Sequence, residues 1–304
     1  MSKNLVLTSS PHLLSNISTP IIMRDVMLAL LPAFFVSIYF FGLRAAALCI
    51  VCVAVCVFFE WAYRKALGLT NTIGDGSAAL TGLILAYNLP SSLPFWMAII
   101  GCFVAIVVTK QMFGGLGKNF ANPAIVGRIV LILSFTGPMT TWPMATDAIT
   151  SATPLARTIE VLPTYTQLFL GQVGGSLGET CKAALLLGGI YLLWRGIITI
   201  TTPASYLGTV AIMSAMLGGD WLYQLLAGGA ILGALFCATD YVTSPTTERG
   251  KLIFGVGCGF FTVIIRFYGS MPEGASFSIL LMNILTPYID QLTATKPFGG
   301  EKKK

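Results

Sequence analysis

The sequence predicts an all-α membrane protein of about ten transmembrane helices, laid out as two inverted five-helix repeats with short, broken helices. Three observations predict it: an apolar, charge-poor composition, a series of apolar runs separated by short polar breaks, and a likeness between the two halves. Of 304 residues, 55% are apolar and only 10% carry Lys, Arg, Asp or Glu, whereas soluble domains carry about 25% charge. Mean hydropathy is +0.82. So few charges cannot clothe a soluble surface, so lipid must cover most of the chain. The composition excludes a disordered chain, a secreted disulfide scaffold and a nucleic-acid-binding domain. Half of the net charge of +6 comes from Lys302, Lys303 and Lys304. One histidine, His12, leaves no multi-histidine metal site or relay, and the seven cysteines form no zinc or secreted-disulfide pattern.

Residues 1–25 read as a polar, cytoplasmic segment with no apolar core for a cleavable signal. A spanning helix needs about 20 mainly apolar residues, fewer where protein shields it. Runs of that kind cover 26–42, 45–63, 76–89, 94–113 and 122–136, then 183–199, 204–219, 221–239, 252–268 and 274–291. Those at 76–89, 122–136 and 252–268 are short, and Gly or Pro interrupts several, which places them inside a bundle. The first repeat is 26–136 and the second 183–292, with a basic tail at 293–304.

Between them lies the one long loop, 137–182, rich in Thr, Pro, Gly and Ser. Its acidic Asp147, Glu160 and Glu179 outnumber Arg157 and the terminal Lys182. Positively charged loops stay in the cytoplasm, so this loop falls outside and both chain ends inside. Arg64 with Lys65, Lys110 with Lys118, and Arg249 with Lys251 then fall inside too. Gly101-Cys102-Phe103 to Lys110 reads against Gly257-Cys258-Gly259 to Arg266 at a constant offset of 156 residues within that stretch. Gly74-Asp75 likewise faces Gly219-Asp220, and Ala86-Tyr87-Asn88 faces Ala238-Thr239-Asp240. A repeat of five helices must run back through the membrane inverted, an arrangement known from transporters with sites at broken helices.

The stretch Asp147-Ala148-Ile149-Thr150-Ser151-Ala152-Thr153-Pro154 in the outside loop presents hydroxyls among small residues. Taken alone, it reads equally as a turn. Asp147-x-x-Thr150-Ser151-Ala152-Thr153 is, however, similar to the flavinylation motif Asp-x-x-Ser/Thr-Gly-Ala-Thr. The one departure is Ser151, which stands where glycine is usual. Further stretches are Ser10-Pro11-His12, Met23-Arg24-Asp25-Val26-Met27, Gly74-Asp75-Gly76-Ser77-Ala78-Ala79-Leu80-Thr81-Gly82 and Lys118-Asn119-Phe120-Ala121-Asn122-Pro123-Ala124. Ala238-Thr239-Asp240-Tyr241-Val242-Thr243-Ser244-Pro245 and Pro272-Glu273-Gly274 complete the set. Over roughly 9–292 the chain resembles the D subunits of the Rnf complex, the ion-translocating ferredoxin:NAD oxidoreductase. Their relatives are the B subunits of the sodium-translocating NADH:quinone oxidoreductase.

The resemblance implies that an extracytoplasmic flavin transferase joins FMN to Thr153 through a phosphoester, reading Asp147, Thr150, Ser151 and Ala152. It also implies a prokaryotic inner-membrane subunit that relays electrons between cofactors of partner subunits while Na+ or H+ moves. Those partners include membrane and peripheral subunits, especially an FMN-bearing one with an external domain. A second, non-covalent flavin such as riboflavin is implied within the bundle, with Asn119 and Asn122 as candidate neighbours. Both residues flank a helix start at Pro123, so capping explains them as well. Arg157 stands where it would neutralise the phosphate or simply be a loop arginine.

Arg128 lies within an apolar run, facing either a partner or, by snorkelling, the interface. Asn88 and Asp240 read as helix caps or as groups on an ion or flavin path. Cys49, Cys52 and Cys56 share one helix face, a spacing that suits helix packing better than an iron–sulfur cluster lacking a nearby fourth ligand. Trp61, Trp142 and Trp221 read as interfacial aromatics. With no dinucleotide loop in the sequence, ferredoxin and NAD chemistry falls to partners. The inverted repeats alone also suit a solute channel or secondary transporter without redox function.

Overall fold

In hydrocarbon, backbone N–H and C=O groups find no water, so an apolar run must close its hydrogen bonds within itself. The computed structural model describes residues 18–143, 150–151, 163–269 and 274–294, and each expected run overlaps helix there. α1 (Thr19–Phe41) turns through Gly42, φ 72°, into α2 (Leu43–Ala66). With α12 (Glu248–Tyr268) they are long and apolar enough to cross a membrane unaided. The shorter elements are α3 (Ser77–Tyr87), α4 (Phe95–Phe103), α5 (Pro123–Ser134), α8 (Lys182–Trp194) and α9 (Thr201–Met216). α13 (Gly274–Thr293) closes the bundle.

Two helices change pitch. α4 continues as a π-helix over Val104–Gln111, where Thr109 Oγ1 reaches back to the Val104 carbonyl at 3.0 Å. The run expected at 221–239 is broken: α10 (Trp221–Leu226) stops before α11 (Ala230–Leu232), which passes into a π-helix at Gly233–Cys237. Such π segments recur at functional sites.

α3 ends inside the protein, so its last carbonyls need partners. The long loop supplies them: Gly178 N–H donates to Tyr87 O (2.8 Å) and Leu177 N–H to Leu89 O (3.0 Å). Only glycine fits at 178, because a Cβ there would lie 2.5 Å from Tyr87 Cβ. α1 packs on α8, α2 on α3 and α4, α9 on α12, and α5 on α13. At the α1–α8 crossing a Cβ on Gly188 would meet the Ala29 carbonyl at 2.1 Å, the close approach small residues permit between membrane helices. Gly188→Leu must therefore part the two helices, at roughly 3 kcal/mol, the upper end of overpacking costs. Thermal unfolding in detergent is the check; an unchanged midpoint contradicts the packing.

Between α5 and α8 the loop carries α6 (Thr136–Thr140), a two-residue antiparallel pair of β1 (Trp142–Pro143) and β2 (Thr150–Ser151), and α7 (Tyr165–Leu170). Thr164 and Gln167 form a capping box at the start of α7. The Tyr165 hydroxyl donates to Asp220, which holds that carboxyl below its ordinary pKa and raises the phenol's. This end is the loop face; the opposite end, near the starts of α1, α3 and α5, is the cleft face.

Candidate functional site: a cleft and a buried ionic core

Asn122 opens α5. Its side-chain oxygen accepts from Ala124 N–H (3.1 Å) and Ile125 N–H (3.4 Å), with Pro123 at the first turn, where no N–H is needed. Asn119 Nδ2 donates to the Ala121 carbonyl at 3.1 Å and shapes the approach to that cap. The capping reading of Asn122 holds, and the same residues line a cleft. Its atom-free space is about 760 Å³ including the open mouth, within the range of small-molecule sites. Its walls are mainly apolar, with Val26, Leu80, Ile84, Leu235 and Phe236, and its polar groups include Ser77, Thr81, Lys110, Asn119, Asn122 and Asp240.

At the back of the cleft, broken-helix ends meet. Asn122 Nδ2 donates to Cys237 O (3.4 Å). With its amide oriented to satisfy both neighbours, Asn283 donates to Thr243 O (3.2 Å) and accepts from Asn122 N–H (3.1 Å). Asp240 accepts from Thr243 Oγ1 (3.1 Å) and Val242 N–H (3.4 Å), capping the turn that follows the π segment.

Lys110 belongs to the second ionic feature. Its ammonium, held inward by the π-helix, donates to Glu60 Oε2 (2.7 Å) and Ser77 Oγ (2.6 Å), while Thr72 Oγ1 donates to Glu60 Oε1 (2.6 Å). Both charged side chains are buried. Another pair joins two helices: Arg195 reaches Asp25 Oδ2 at 2.7 Å, linking the end of α8 to α1.

Arg128 is wholly buried and does not snorkel. It donates to Asn88 Oδ1 (2.7 Å), Ser276 Oγ (3.0 Å) and Glu179 Oε1 (3.2 Å), so α3, α5, α13 and the loop converge on one guanidinium. Asn88 also donates to Ile84 O (2.7 Å), capping α3. Lys182 is buried beside this group and donates to the Glu179 carbonyl.

Of the flavinylation motif, Asp147, Ala152, Thr153 and Arg157 lie outside the described residues. Thr150 and Ser151 are described by their backbone, which pairs with Pro143 and Trp142. Trp142 is fully buried; it anchors that strand pair within the protein and is no interfacial aromatic. Trp61 and Trp221 are exposed, as interfacial aromatics are.

The cysteine face of α2 has a fourth thiol near it after all. Cys102 from α4 points its Sγ at the Cys52 carbonyl (3.7 Å). All four thiols are buried. No group of three or more His, Cys, Asp or Glu among the described residues is arranged to hold a metal. Sequence reading missed the partners Glu60 and Glu179, although a carboxylate in or beside an apolar run signals a buried partner.

The model of the NQR2, RnfD, RnfE family matches residues 6–299. The chain is 45% identical to the D subunit of the Na+-translocating ferredoxin:NAD+ oxidoreductase complex of Acetobacterium woodii, covering 99% of this chain and 97% of that protein. It is 40% identical to the D subunit of the proton-translocating ferredoxin:NAD+ oxidoreductase complex of Clostridium ljungdahlii, covering 99% and 98%. With the D subunit of an ion-translocating oxidoreductase complex from Stutzerimonas stutzeri it shares 38% identity over 91% of each chain. Together with the helical bundle and its cleft, these likenesses run nearly from end to end: the chain belongs to the NQR2, RnfD, RnfE family.

Proposed function

We propose that this chain is the D subunit of an ion-translocating ferredoxin:NAD oxidoreductase complex and relays electrons between cofactors of its partners. Near-full-length similarity to subunits so named carries the reading. Ferredoxin and NAD are handled by other subunits, among them an FMN-bearing one with an external domain. In this reading Thr153 holds FMN through a phosphoester placed by a flavin transferase. The flavin supplies one- and two-electron chemistry; the chain positions it and sets its surroundings.

The cleft suits a second, non-covalent flavin such as riboflavin. Apolar walls would bracket a flat ring, and the amides of Asn119 and Asn122 provide the donors and acceptors a flavin edge needs. Lys110 lines the same wall, and its charge favours an electron-rich ring. The expected result is one acid-extractable flavin per chain in the purified complex, lost in an Asn119→Ala, Asn122→Ser double variant. Serine keeps an oxygen for the α5 cap, so α5 stays folded while the amide donors go. Undiminished extractable flavin in that variant would place the second flavin elsewhere.

The reading also includes the ten-span topology, with the loop face outside and both termini inside. The mirror-related pairs α1–α8 and α5–α13 pack against one another, as two inverted repeats require. An inverted-repeat transporter is the competing class, and it predicts solute flux by the isolated chain in liposomes without redox substrates. The proposed subunit gives none, and instead shows flavin fluorescence in a denaturing gel. The relatives named above move different ions, Na+ in one and protons in the other.

A further inference from the structure

A line of hydrogen bonds joins a half-buried carboxylate at the start of α3 to the buried ammonium on the cleft wall. It begins in Asp75-Gly76-Ser77. Gly76 takes the left-handed conformation, φ 75°, and Asp75 Oδ1 accepts from both Ser77 N–H (2.8 Å) and Ser77 Oγ–H (2.5 Å). This is the turn that short acidic side chains favour, bonding to the backbone two residues on. Ser77 Oγ in turn accepts from the Lys110 ammonium at 2.6 Å. A carboxyl, a hydroxyl and an ammonium, all with exchangeable protons, are thus in hydrogen-bonded series.

The two ends differ in their access to water. Asp75 is half-buried, whereas Ser77 and Lys110 are buried and line the cleft. An ammonium has three N–H bonds to give. Ser77 and Glu60 take two of them, and among the described residues no acceptor takes the third. Glu60, fully buried, holds the ammonium in place; its other hydrogen bond comes from the Thr72 hydroxyl and leads to no further titratable group. Asp240 also lines the cleft, but it is turned to Thr243 and the Val242 N–H rather than to this series. A ring filling the cleft displaces the water there and leaves Asp75 as the approach from solvent to Lys110.

We propose that Asp75, Ser77 and Lys110 form a proton-delivery chain for the redox group held in the cleft. The inference rests on the reading of the cleft as a flavin site. A bound flavin takes up two electrons, here from partner cofactors along the proposed relay, and at least one proton. Lys110 Nζ gives its unpartnered proton towards the cleft, and the Ser77 hydroxyl proton moves to the amine left behind. The Asp75 carboxyl, having taken a proton from water, restores the hydroxyl and is again a carboxylate. One proton has then passed from water to the cleft, and the three side chains are as they were.

The test uses the purified full chain, made without a flavin transferase and reconstituted with riboflavin, so that one flavin is present. Riboflavin binding is measured first, by quenching of its fluorescence. Reduced methyl viologen, which delivers electrons without protons, then reduces it in a stopped-flow cell while a pH-indicator dye follows proton uptake. In the wild-type chain uptake keeps pace with reduction. In Asp75→Asn and Ser77→Ala it slows roughly a hundredfold, the lower end of what a positioned proton-transfer group contributes. Asparagine keeps an oxygen for both bonds from Ser77 but no acid, so α3 stays capped, and added acetate restores the rate. Ser77→Ala leaves the Asp75 carboxylate its bond from the backbone N–H, which keeps the claim decidable if Asp75→Asn fails to fold. Riboflavin-loaded variants that take up the proton as fast as wild type would overturn the delivery chain and leave the flavin reading standing. Slowing in Asp75→Asn that acetate does not relieve would also overturn it, since Asp75 would then be a cap alone. A wild-type chain that binds no riboflavin would remove the flavin reading and the delivery chain together.

Discussion

Thr153→Ala leaves the chain folded and assembled but without covalent flavin: the band loses its in-gel fluorescence, and ferredoxin:NAD oxidoreduction by the complex falls to background. One oxygen decides the outcome. In the reading proposed above, a phosphoester through the threonyl hydroxyl would be the whole tether, so removing that oxygen removes the attachment. The anchoring strand pair does not depend on it, because Trp142, the buried member, pairs with Ser151 two residues upstream. Loss of a relay interrupts the electron path outright, in contrast to the graded losses that follow a packing change. Thr153→Ser, which retains a hydroxyl, tests the transferase's tolerance and is expected to retain some fluorescence. Fluorescence that persists in Thr153→Ala moves the attachment to another residue.

The second large effect is on stability. Lys110→Met takes the ammonium from the buried Glu60 carboxylate and leaves it the hydrogen bond from the Thr72 hydroxyl. Breaking one member of a buried pair costs about 3–5 kcal/mol, a large share of the 5–15 kcal/mol that holds an ordinary domain together. The single variant should accumulate poorly and unfold at a clearly lower temperature in detergent. Lys110→Met with Glu60→Met removes both charges and regains most of that loss, because well-packed apolar replacements of a buried pair are often neutral or stabilising. A double variant as unstable as the single one would mean that the pair's packing matters rather than its charge. Lys110 also lines the cleft, so the stable double variant separates roles: it is expected to fold well yet bind the extractable flavin more weakly.

How much of this was legible in the sequence depends on distance along the chain. Helices were legible because apolar composition forces internal hydrogen bonding, and the α5 start because Asn122-Pro123 carries both a cap and a residue without an N–H. Pairings were not. Glu60 and Lys110 lie 50 residues apart, and Arg128 and Glu179 lie 51 apart; hydropathy says that such groups need partners without saying which. The direction of Arg128 was open for the same reason, since a charge six residues into a helix reaches either a partner or the interface. Cys102 joined the α2 thiols only once α4 was seen to cross at that level. The break at Ala227–Gly229 falls inside a run read as continuous, although Gly228-Gly229 marked it in the sequence. Trp142 resembled an interfacial aromatic, and burial of a loop tryptophan depends on what folds over it. Thr153 rests on a motif: chemistry alone left it a loop hydroxyl, and its position lies outside the described residues.

The proposed electron relay depends on that hydroxyl, and peptide mass spectrometry of the native complex over residues 147–157 tests it most directly. The expected peptide is heavier by FMN less one water, with fragment ions placing the added mass on Thr153. A peptide found only at its unmodified mass, from a complex matured beside an active transferase, would contradict the relay.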